Sequence, residues 1–210
     1  AELRIAVSAA LPWQPLYDLI AQFHELPGHT RLRFSTEVLS GNWDALAGGR
    51  TDLVIGADGA GAPAGDFQAR PMGRLRFAFC VAPHHPLARA RQPLTSADIV
   101  AHCAVSLADT THHLPPATRG LLAAQRTLVV PSMQEKIEAQ IRGLGCGYLP
   151  RPLARPYLAR GLLVELATAD GVPLEEELVY AWRGRAQGEA LKWWLQKLQS
   201  PRLCRKLLGD

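Results

Sequence analysis

The chain has 210 residues, 48% of them hydrophobic, with a formal net charge of +4 and a pI near 9.1. This length and apolar content argue against disorder and suffice for one large domain or two small lobes. No apolar run reaches the roughly 18 residues that span a bilayer, and the N-terminus lacks the pattern of an export signal. The start at Ala1 rather than Met is expected of a processed protein or an excised fragment.

The basic excess is mainly C-terminal, since residues 178–210 carry seven Lys and Arg against two Asp and Glu. Arg202, Arg205 and Lys206 form a short basic end, but interleaved aromatic residues and a strongly basic helix are missing. We therefore expect that this C-terminal segment does not bind DNA by itself.

Strand and helix patterns alternate along the whole chain, which predicts an α/β fold with a parallel, twisted sheet. Among the predicted loops, the glycine-rich residues 57–65 are expected to be the most mobile. In chain order we predict strand 3–7, a helix opened by Pro12, strand 31–38, helix 43–47, and strands 52–56, 77–82, 104–107 and 127–130; then helix 132–142, strand 147–149, helix 152–159, strands 162–166 and 177–182, and a last helix with Leu191, Trp194, Leu195 and Leu198 on one stripe.

Residues 132–150 predict a capped helix, a glycine turn and a buried strand. Ser132 followed by Glu135 fits a capping box. The helix N-terminus then offers N–H groups and a partial positive charge to a polar ligand. A cap worth about 1 kcal/mol explains Ser132 equally well, and both roles are compatible. Three apolar residues are expected on one helix face: Ile137, Ile141 and Leu144.

Small or hydroxylated residues follow several predicted strands. In open α/β sheets, ligands bind outside the carboxyl ends of the strands. Short side chains there leave room for a modest polar ligand held by N–H and hydroxyl groups. The residues concerned are Ser8, Ala9 and Ala10, Gly56 and Ala57, Ser106 with Thr110 and Thr111, and Ser132.

Neither a metal centre nor a catalytic centre is predicted. The pairs His84-His85 and His112-His113 lack a Cys or acidic ligand at matching spacing. The first pair fits a turn, whereas the second lies in a Thr-rich loop and is open to ligand contact. The sequence offers candidate general acids in Asp98, Asp109 and Glu135, and a candidate nucleophile in Ser106. It shows no motif that would combine them with the base and orienting group that catalysis needs. The four cysteines have no metal-finger spacing and predict reduced, buried thiols in a reducing cytoplasm: Cys80, Cys103, Cys146 and Cys204.

Several segments, taken together and in this order, resemble the effector-binding domain of LysR-type transcriptional regulators. The resemblance covers essentially the full length of the chain. The segments are Leu3 to Val7 with the polar turn after it, Leu46 to Gly56 (LAGGRTDLVIG), Val81 to Ala88 (VAPHHPLA) and Gly143 to Pro150 (GLGCGYLP).

The resemblance implies two Rossmann-like lobes of the type II periplasmic-binding-protein fold, joined by two crossing strands near Leu75 to Ala82 and Glu177 to Trp182. Lobe I would be residues 1–78 plus 178–210, and lobe II residues 79–177. A small-molecule effector would bind in the cleft between the lobes, with no cofactor. The family's N-terminal winged helix-turn-helix is absent from this chain, so DNA would be bound only through that missing domain. We also expect the protein to form homodimers or homotetramers. The full-length protein is expected to contact RNA polymerase and not to associate with a membrane.

Carried over position by position, the resemblance also implies the effector-binding residues. The run from Gly41 to Leu46 is similar to one in regulators of purine and allantoin use. Ala10 and Ala57 replace hydroxyl residues that the family often has, and Trp43 is open to stacking on a ligand or to packing in the core. The predicted contacts are Ser8, Ala9, Ala10, Ser40, Gly41, Trp43, Ala57, Leu75, Ser106, Thr110, Thr111, Ser132 and Met133.

Two other classes of function remain open at this point. A free-standing solute-binding protein of a transport system shares the two-lobe architecture. An enzyme on the same fold would turn its ligand over. A signal sequence in the gene would favour the first, and chemical conversion of a metabolite would favour the second.

Overall fold

The computed structural model describes residues 1–169, 175–184 and 188–210, and the contacts among residues divide the chain into two compact units. Among these described residues, no helix has both the length and the apolar character needed to cross a membrane. Residues 109–116, which the sequence-based division places in lobe II, group with unit 1. Unit 1 consists of Ala1–Leu75, Asp109–Pro116 and Glu176–Asp210, and unit 2 of Arg76–Ala108 and Ala117–Glu175.

Unit 1 is built on a mixed sheet. Strand β1 pairs in parallel with β2 on one side and with β3 on the other, whereas β9 runs antiparallel to β3. The prediction of a parallel sheet therefore holds for β1, β2 and β3 and is wrong for β9, which runs antiparallel to β3. The elements are β1 (Glu2–Ser8), α1 (Gln14–His24), β2 (Arg31–Glu37), α2 (Gly41–Ala47), β3 (Leu53–Asp58), the first part of β4 (Phe67–Val81), β9 (Glu175–Arg183), α6 (Glu189–Leu198) and α7 (Pro201–Leu208).

Apolar residues from α2 and the sheet fill the core of unit 1. Trp43 and Leu46 of α2 pack with Ala6, Val54 and Ala181 of three strands, and all five are buried. A second apolar layer contains the predicted stripe of α6, whose Trp194 packs edge-on against Phe34 at 5.9 Å between ring centroids. Burial of this kind contributes roughly 1.5–3 kcal/mol for each large side chain.

Unit 2 contains the second part of β4, which pairs antiparallel with β7 and β8, together with a parallel pair of strands, β5 and β6. Ile137 of α4 packs on Ala78 and Cys80 of β4, on Leu149 of β7 and on Ala154 of α5. The remaining elements are α3 (Ser96–Val100), β5 (Ala104–Leu107), β6 (Thr127–Val130), α4 (Met133–Ile141), β7 (Gly147–Pro150), α5 (Arg151–Ala159) and β8 (Val164–Glu165).

Some local expectations differ from the structure. The short basic end is part of α7, which begins after the N-cap Ser200 and ends at Gly209 with a φ of 84°. Leu144 is 56% exposed, because α4 ends at Ile141 and Gly143, with a φ of 73°, turns the chain away. The predicted third face residue of α4 is therefore wrong.

Candidate functional site

The turn after β1 contains three predicted contact residues and is held by hydrogen bonds within unit 1. The N–H of Ala9 donates to the Glu37 carbonyl at 2.9 Å, and the N–H of Ala10 donates to the Ser8 hydroxyl at 3.3 Å. Leu11 N–H closes the turn on the Ser8 carbonyl at 3.1 Å. The structure brings Ser8, Ala9 and Ala10 together, but the two amides expected to serve a ligand already have partners.

Residues 109–116, called the docked segment below, meet unit 1 at the N-terminus of α2. The Asp109 carboxylate accepts hydrogen bonds from the N–H groups of Ser40 at 3.2 Å and Gly41 at 3.1 Å, and from the Ser40 hydroxyl. A carboxylate at this position satisfies N–H groups that the helix leaves unpaired. The donors predicted to hold an effector thus hold a side chain of the protein itself.

Two threonines of the docked segment make further hydrogen bonds. The Thr110 hydroxyl accepts from Val38 N–H at 2.9 Å and donates to the Glu37 carboxylate at 2.5 Å. The Thr111 hydroxyl donates to the Leu114 carbonyl at 2.9 Å, within the segment. The structure therefore brings Ser40 and Gly41 close to Thr110 and Thr111. Their hydrogen bonds are made to neighbouring residues of the protein: Asp109, Glu37, Val38 and Leu114.

Asp44 is a buried carboxylate that anchors the rest of the docked segment. It is 1% exposed and accepts hydrogen bonds from the N–H groups of His112 at 3.0 Å, His113 at 2.9 Å and Leu114 at 3.0 Å. Its second oxygen also accepts from Arg50 Nη1 at 2.8 Å. Consecutive N–H groups of this kind form a concave anion-binding site, which Asp44 fills from within the protein.

The charge of Asp44 is stable at neutral pH. Burial on its own raises the pKa of a carboxyl group, but the hydrogen bonds from Arg50 and from three backbone N–H groups outweigh it. The pKa of Asp44 is consequently held well below its ordinary value of 3.8. An ionised Asp44 therefore holds the docked segment on unit 1 through charge-assisted bonds.

Substitution of Gly41 tests how closely the docked segment must approach α2. An added Cβ at Gly41 would lie 1.9 Å from Thr110 Oγ1 and 2.9 Å from Thr110 Cβ. We expect Gly41→Ala to push the segment away and to lower the free energy of unfolding by about 1–3 kcal/mol. Urea unfolding measures this loss, with Gly61→Ala, in an exposed loop, as the matched control. Equal stability of the Gly41 variant and wild type would contradict the close approach.

Three predicted contact residues are packing residues in this structure. Trp43 is 2% exposed, and its indole N–H donates to the Asp58 carbonyl at 2.8 Å. Ala57 and Leu75 are both 0% exposed. Of the two roles open to Trp43, the structure shows core packing, since both its ring and its N–H are engaged. Ligand contact by these three side chains stays a prediction.

Three further predicted residues lie in unit 2. Ser106 is half-buried near the carboxyl end of β5 and pairs in register with Val129 of β6. Ser132 is the N-cap of α4, with Glu135 N–H donating to its hydroxyl at 3.5 Å and that hydroxyl donating to the Glu135 carboxylate. Met133 begins the helix and packs at the edge of the unit 2 core. The predicted N-cap is confirmed, but the Glu135 carboxylate binds the Ser132 hydroxyl and not the backbone N–H that a capping box uses.

His85 and Asp98 have structural roles as capping residues, and ligand contact by the His112 and His113 side chains stays a prediction. His85 caps a short 3-10 turn by accepting from Leu87 N–H at 3.2 Å, which confirms the predicted turn, and burial lowers the pKa of His85. Asp98 and Thr95 cap α3 with reciprocal hydrogen bonds. Within the part of the chain that the structure describes, no group of three His, Cys, Asp or Glu residues is arranged to hold a metal ion.

Sequence reasoning missed Asp44 and treated Asp109 only as a candidate general acid. One signal was available, since Asp44 is a charged residue in the otherwise apolar run Trp43-Asp44-Ala45-Leu46. A charge in such a run is rarely buried without partners, so it predicts a buried ion pair or a hydrogen-bonded carboxylate.

The fold and the strand-end residues define a class of protein. Two α/β units share the long strand β4, and small or hydroxylated residues follow β1 in unit 1 and end β5 in unit 2. This combination is typical of two-lobe α/β proteins that bind small molecules.

Comparison with known proteins identifies the family. The LysR substrate binding domain model matches residues 1–200. The transcriptional regulator YeeY of Escherichia coli, described as an uncharacterized HTH-type protein, is 37% identical over 197 residues, covering 94% of this chain and 63% of YeeY. The transcriptional activator AllS of Klebsiella pneumoniae is 32% identical over 161 residues, covering 77% of this chain and 60% of AllS. The chain therefore belongs to the LysR substrate-binding domain family.

Solved structures agree on the fold. Full-length LysG of Corynebacterium glutamicum, a LysR-type regulator with bound effector Arg, superposes with a TM-score of 0.70 at 20% identity, covering 98% of this chain and 68% of LysG. The predicted fold, that of type II periplasmic-binding proteins as in LysR effector-binding domains, is confirmed. The relatives are transcription regulators, and none of these comparisons favours the transport alternative. The chain spans less than two thirds of the length of YeeY and of AllS.

Proposed function

We propose that this chain is the sensing domain of a LysR-type transcription regulator, which binds a small effector and passes the signal to a DNA-binding domain outside the chain. The family match over residues 1–200 carries this proposal. An effector shifts such a regulator only by its differential affinity for two conformations, typically about 1–3 kcal/mol.

The effector is proposed to be a polar metabolite of about the size of arginine, the effector bound to LysG. Candidate contacts are the hydroxyl residues at the strand ends. In unit 1 the docked segment holds the donors of α2, so an effector that contacts these donors has to compete with Asp109. The domain binds the effector and performs no reaction on it.

The remaining partners belong to the whole regulator. We propose that it acts in the cytoplasm, where the chromosome is, and that it binds DNA through a helix-turn-helix domain beyond this chain. It would associate as a homodimer or homotetramer and contact RNA polymerase.

A thermal-shift screen tests the sensing role. The panel contains purines, ureides, amino acids and aromatic acids, because a compound that binds only the folded state raises the melting temperature. We expect one chemical class to stabilise the domain, and Ser106→Ala to weaken its binding several-fold. Ser35→Ala, on the exposed side of β2, is the matched control and should leave binding unchanged.

Two results would contradict the proposed function. One is chemical conversion of a bound compound, which mass spectrometry of the same mixtures detects and which would indicate an enzyme. The other is a panel in which no compound of any charge raises the melting temperature.

A further inference from the structure

Lys136 is a buried cation in unit 2. It lies one turn into α4 and is 9% exposed. A Cβ added to Gly147, at the start of β7, would be 3.8 Å from Lys136 Nζ and 3.1 Å from the Val105 carbonyl of β5. The ammonium group therefore lies beside the start of β7, at ordinary van der Waals distance from the place that a side chain at Gly147 would take.

In the described part of the chain the Lys136 Nζ makes neither a hydrogen bond nor an ion pair, although it keeps a small contact with solvent. The groups that act on its charge are Cys80, Cys146 and Arg119. Burial raises the pKa of Cys80 to about 12 and the pKa of Cys146 to about 11, so both thiols are neutral at pH 7. Arg119, which stacks on the Phe77 ring at 5.2 Å, adds a second positive charge.

An uncompensated charge in a protein interior costs several kcal/mol, so buried charges are normally paired. Burial is the main reason that the pKa of Lys136 falls to about 8, and Arg119 lowers it further. At pH 7 the amine is still mostly protonated. Lys136 is thus a cation in unit 2. The groups that act on its charge are two neutral thiols and a second cation, and none of them is an anion at pH 7.

The helix that carries Lys136 adds to the positive potential. Helical side chains tilt toward the helix N-terminus, and the N-terminus of a helix carries a partial positive charge. Ser132 and Met133, both predicted effector contacts, are the N-cap and first residue of the same nine-residue helix. An anionic group bound beside Ser132 and Met133 would interact with this helix N-terminus, one turn before the residue that carries the ammonium group.

We propose that Lys136 is the counter-ion for a carboxylate of the effector, so that the domain senses a small organic acid. The inference rests on the proposed sensing function and narrows its ligand class. A neutral metabolite leaves the buried ammonium uncompensated, whereas a carboxylate supplies the missing charge and forms a charge-assisted hydrogen bond.

Matched acid and amide pairs test this ligand class. The probes are benzoate and benzamide, succinate and succinamide, and pyruvate and pyruvamide, added to this chain at constant ionic strength and followed by thermal shift and calorimetry. We expect at least one acid to bind, its amide of equal size to bind at least tenfold more weakly, and Lys136→Met to bind that acid at least tenfold more weakly. Lys206→Met, an exposed lysine on α7, should bind the acid like wild type.

A second measurement needs only the wild-type chain. Affinity for the acid should fall above pH 8, by up to tenfold per pH unit, as the Lys136 amine loses its proton. Cys80, Cys146 and Arg119 keep their charge states between pH 8 and 10, because the two thiols ionise at about 11 or above and arginine stays protonated.

Equal binding of acids and amides, an unchanged affinity in Lys136→Met, or the absence of binding by every acid would overturn the role of Lys136. These results leave the sensing function intact if purines, ureides or other uncharged compounds of the wider screen stabilise the domain. A screen without any stabilising compound contradicts the sensing function itself.

Discussion

Asp44→Asn is expected to lower the free energy of unfolding by about 3 kcal/mol, because the loss of a charged acceptor leaves backbone N–H donors of the docked segment unsatisfied. The amide group of Asn points two donors at positions where Asp44 accepts hydrogen bonds from Arg50 and from the N–H groups of His112, His113 and Leu114. Chemical denaturation with urea measures the loss.

The matched control is Asp18→Asn, since Asp18 is exposed on α1. This change should alter the unfolding free energy by no more than about 0.5 kcal/mol. If the Asp44 variant were as stable as the Asp18 variant, the docked segment would not depend on the buried carboxylate.

The same residue predicts the behaviour of the domain in acid. The pKa of Asp44 is lower in the folded chain than its ordinary value of 3.8, so the folded state holds this proton less tightly than the unfolded state. The stabilisation is complete above about pH 4 and is lost as the pH falls below 3.8 toward the folded-state pKa. The stability difference between wild type and Asp44→Asn should therefore shrink below pH 4, and a difference that is constant down to pH 2 would contradict this account.

Lys136→Met, unlike Asp44→Asn, is expected to raise the free energy of unfolding. The expected gain for the ligand-free domain is about 3 kcal/mol at pH 7. The fall in the pKa of Lys136 from 10.5 to about 8 corresponds to a charge penalty of that size. Methionine keeps the length and packing of the side chain without the charge. Thermal and urea unfolding measure the gain, and Lys206→Met serves as the exposed control.

The gain should depend on pH in a defined window. Because the pKa of Lys136 is lowered by folding, the unfolded chain binds more protons between about pH 8 and 10.5, and the wild type becomes more stable across this range. The advantage of the methionine variant should accordingly be largest below pH 8 and disappear near pH 10.5. A methionine variant less stable than wild type at pH 7 would show that Lys136 has a stabilising partner.

Local patterns predicted the elements of the fold well. Alternating apolar residues located β1, although both faces of the strand are buried from Ile5 onward. The stripe of Leu191, Trp194, Leu195 and Leu198 located α6, because it forms the buried face of that helix. The antiparallel direction of β9 was not predictable, since strand direction depends on where the chain enters the sheet. α7 was missed because its many charged residues resemble a solvated tail, although Cys204, Leu207 and Leu208 are buried.

The candidate site was predictable in its composition but not in its contacts. Serines and threonines at strand ends were visible in the sequence, and Ser132 proved to be a cap. The bonds from Ser40 and Gly41 to Asp109 join residues 68 or 69 positions apart, and no local pattern specifies such a pairing. Likewise, the burial of Lys136 beside the core residue Ile137 depends on the strands below α4.

The assignment of residues 109–116 to unit 1 bears on dissection of the protein by truncation. The backbone changes unit four times, after Leu75, Ala108, Pro116 and Glu175, so neither half is an uninterrupted stretch of polypeptide. Excising residues 79–177 as a separate fragment would take away the three N–H donors of Asp44 and leave that carboxylate buried without them. Each half is therefore expected to fold poorly when expressed without the other.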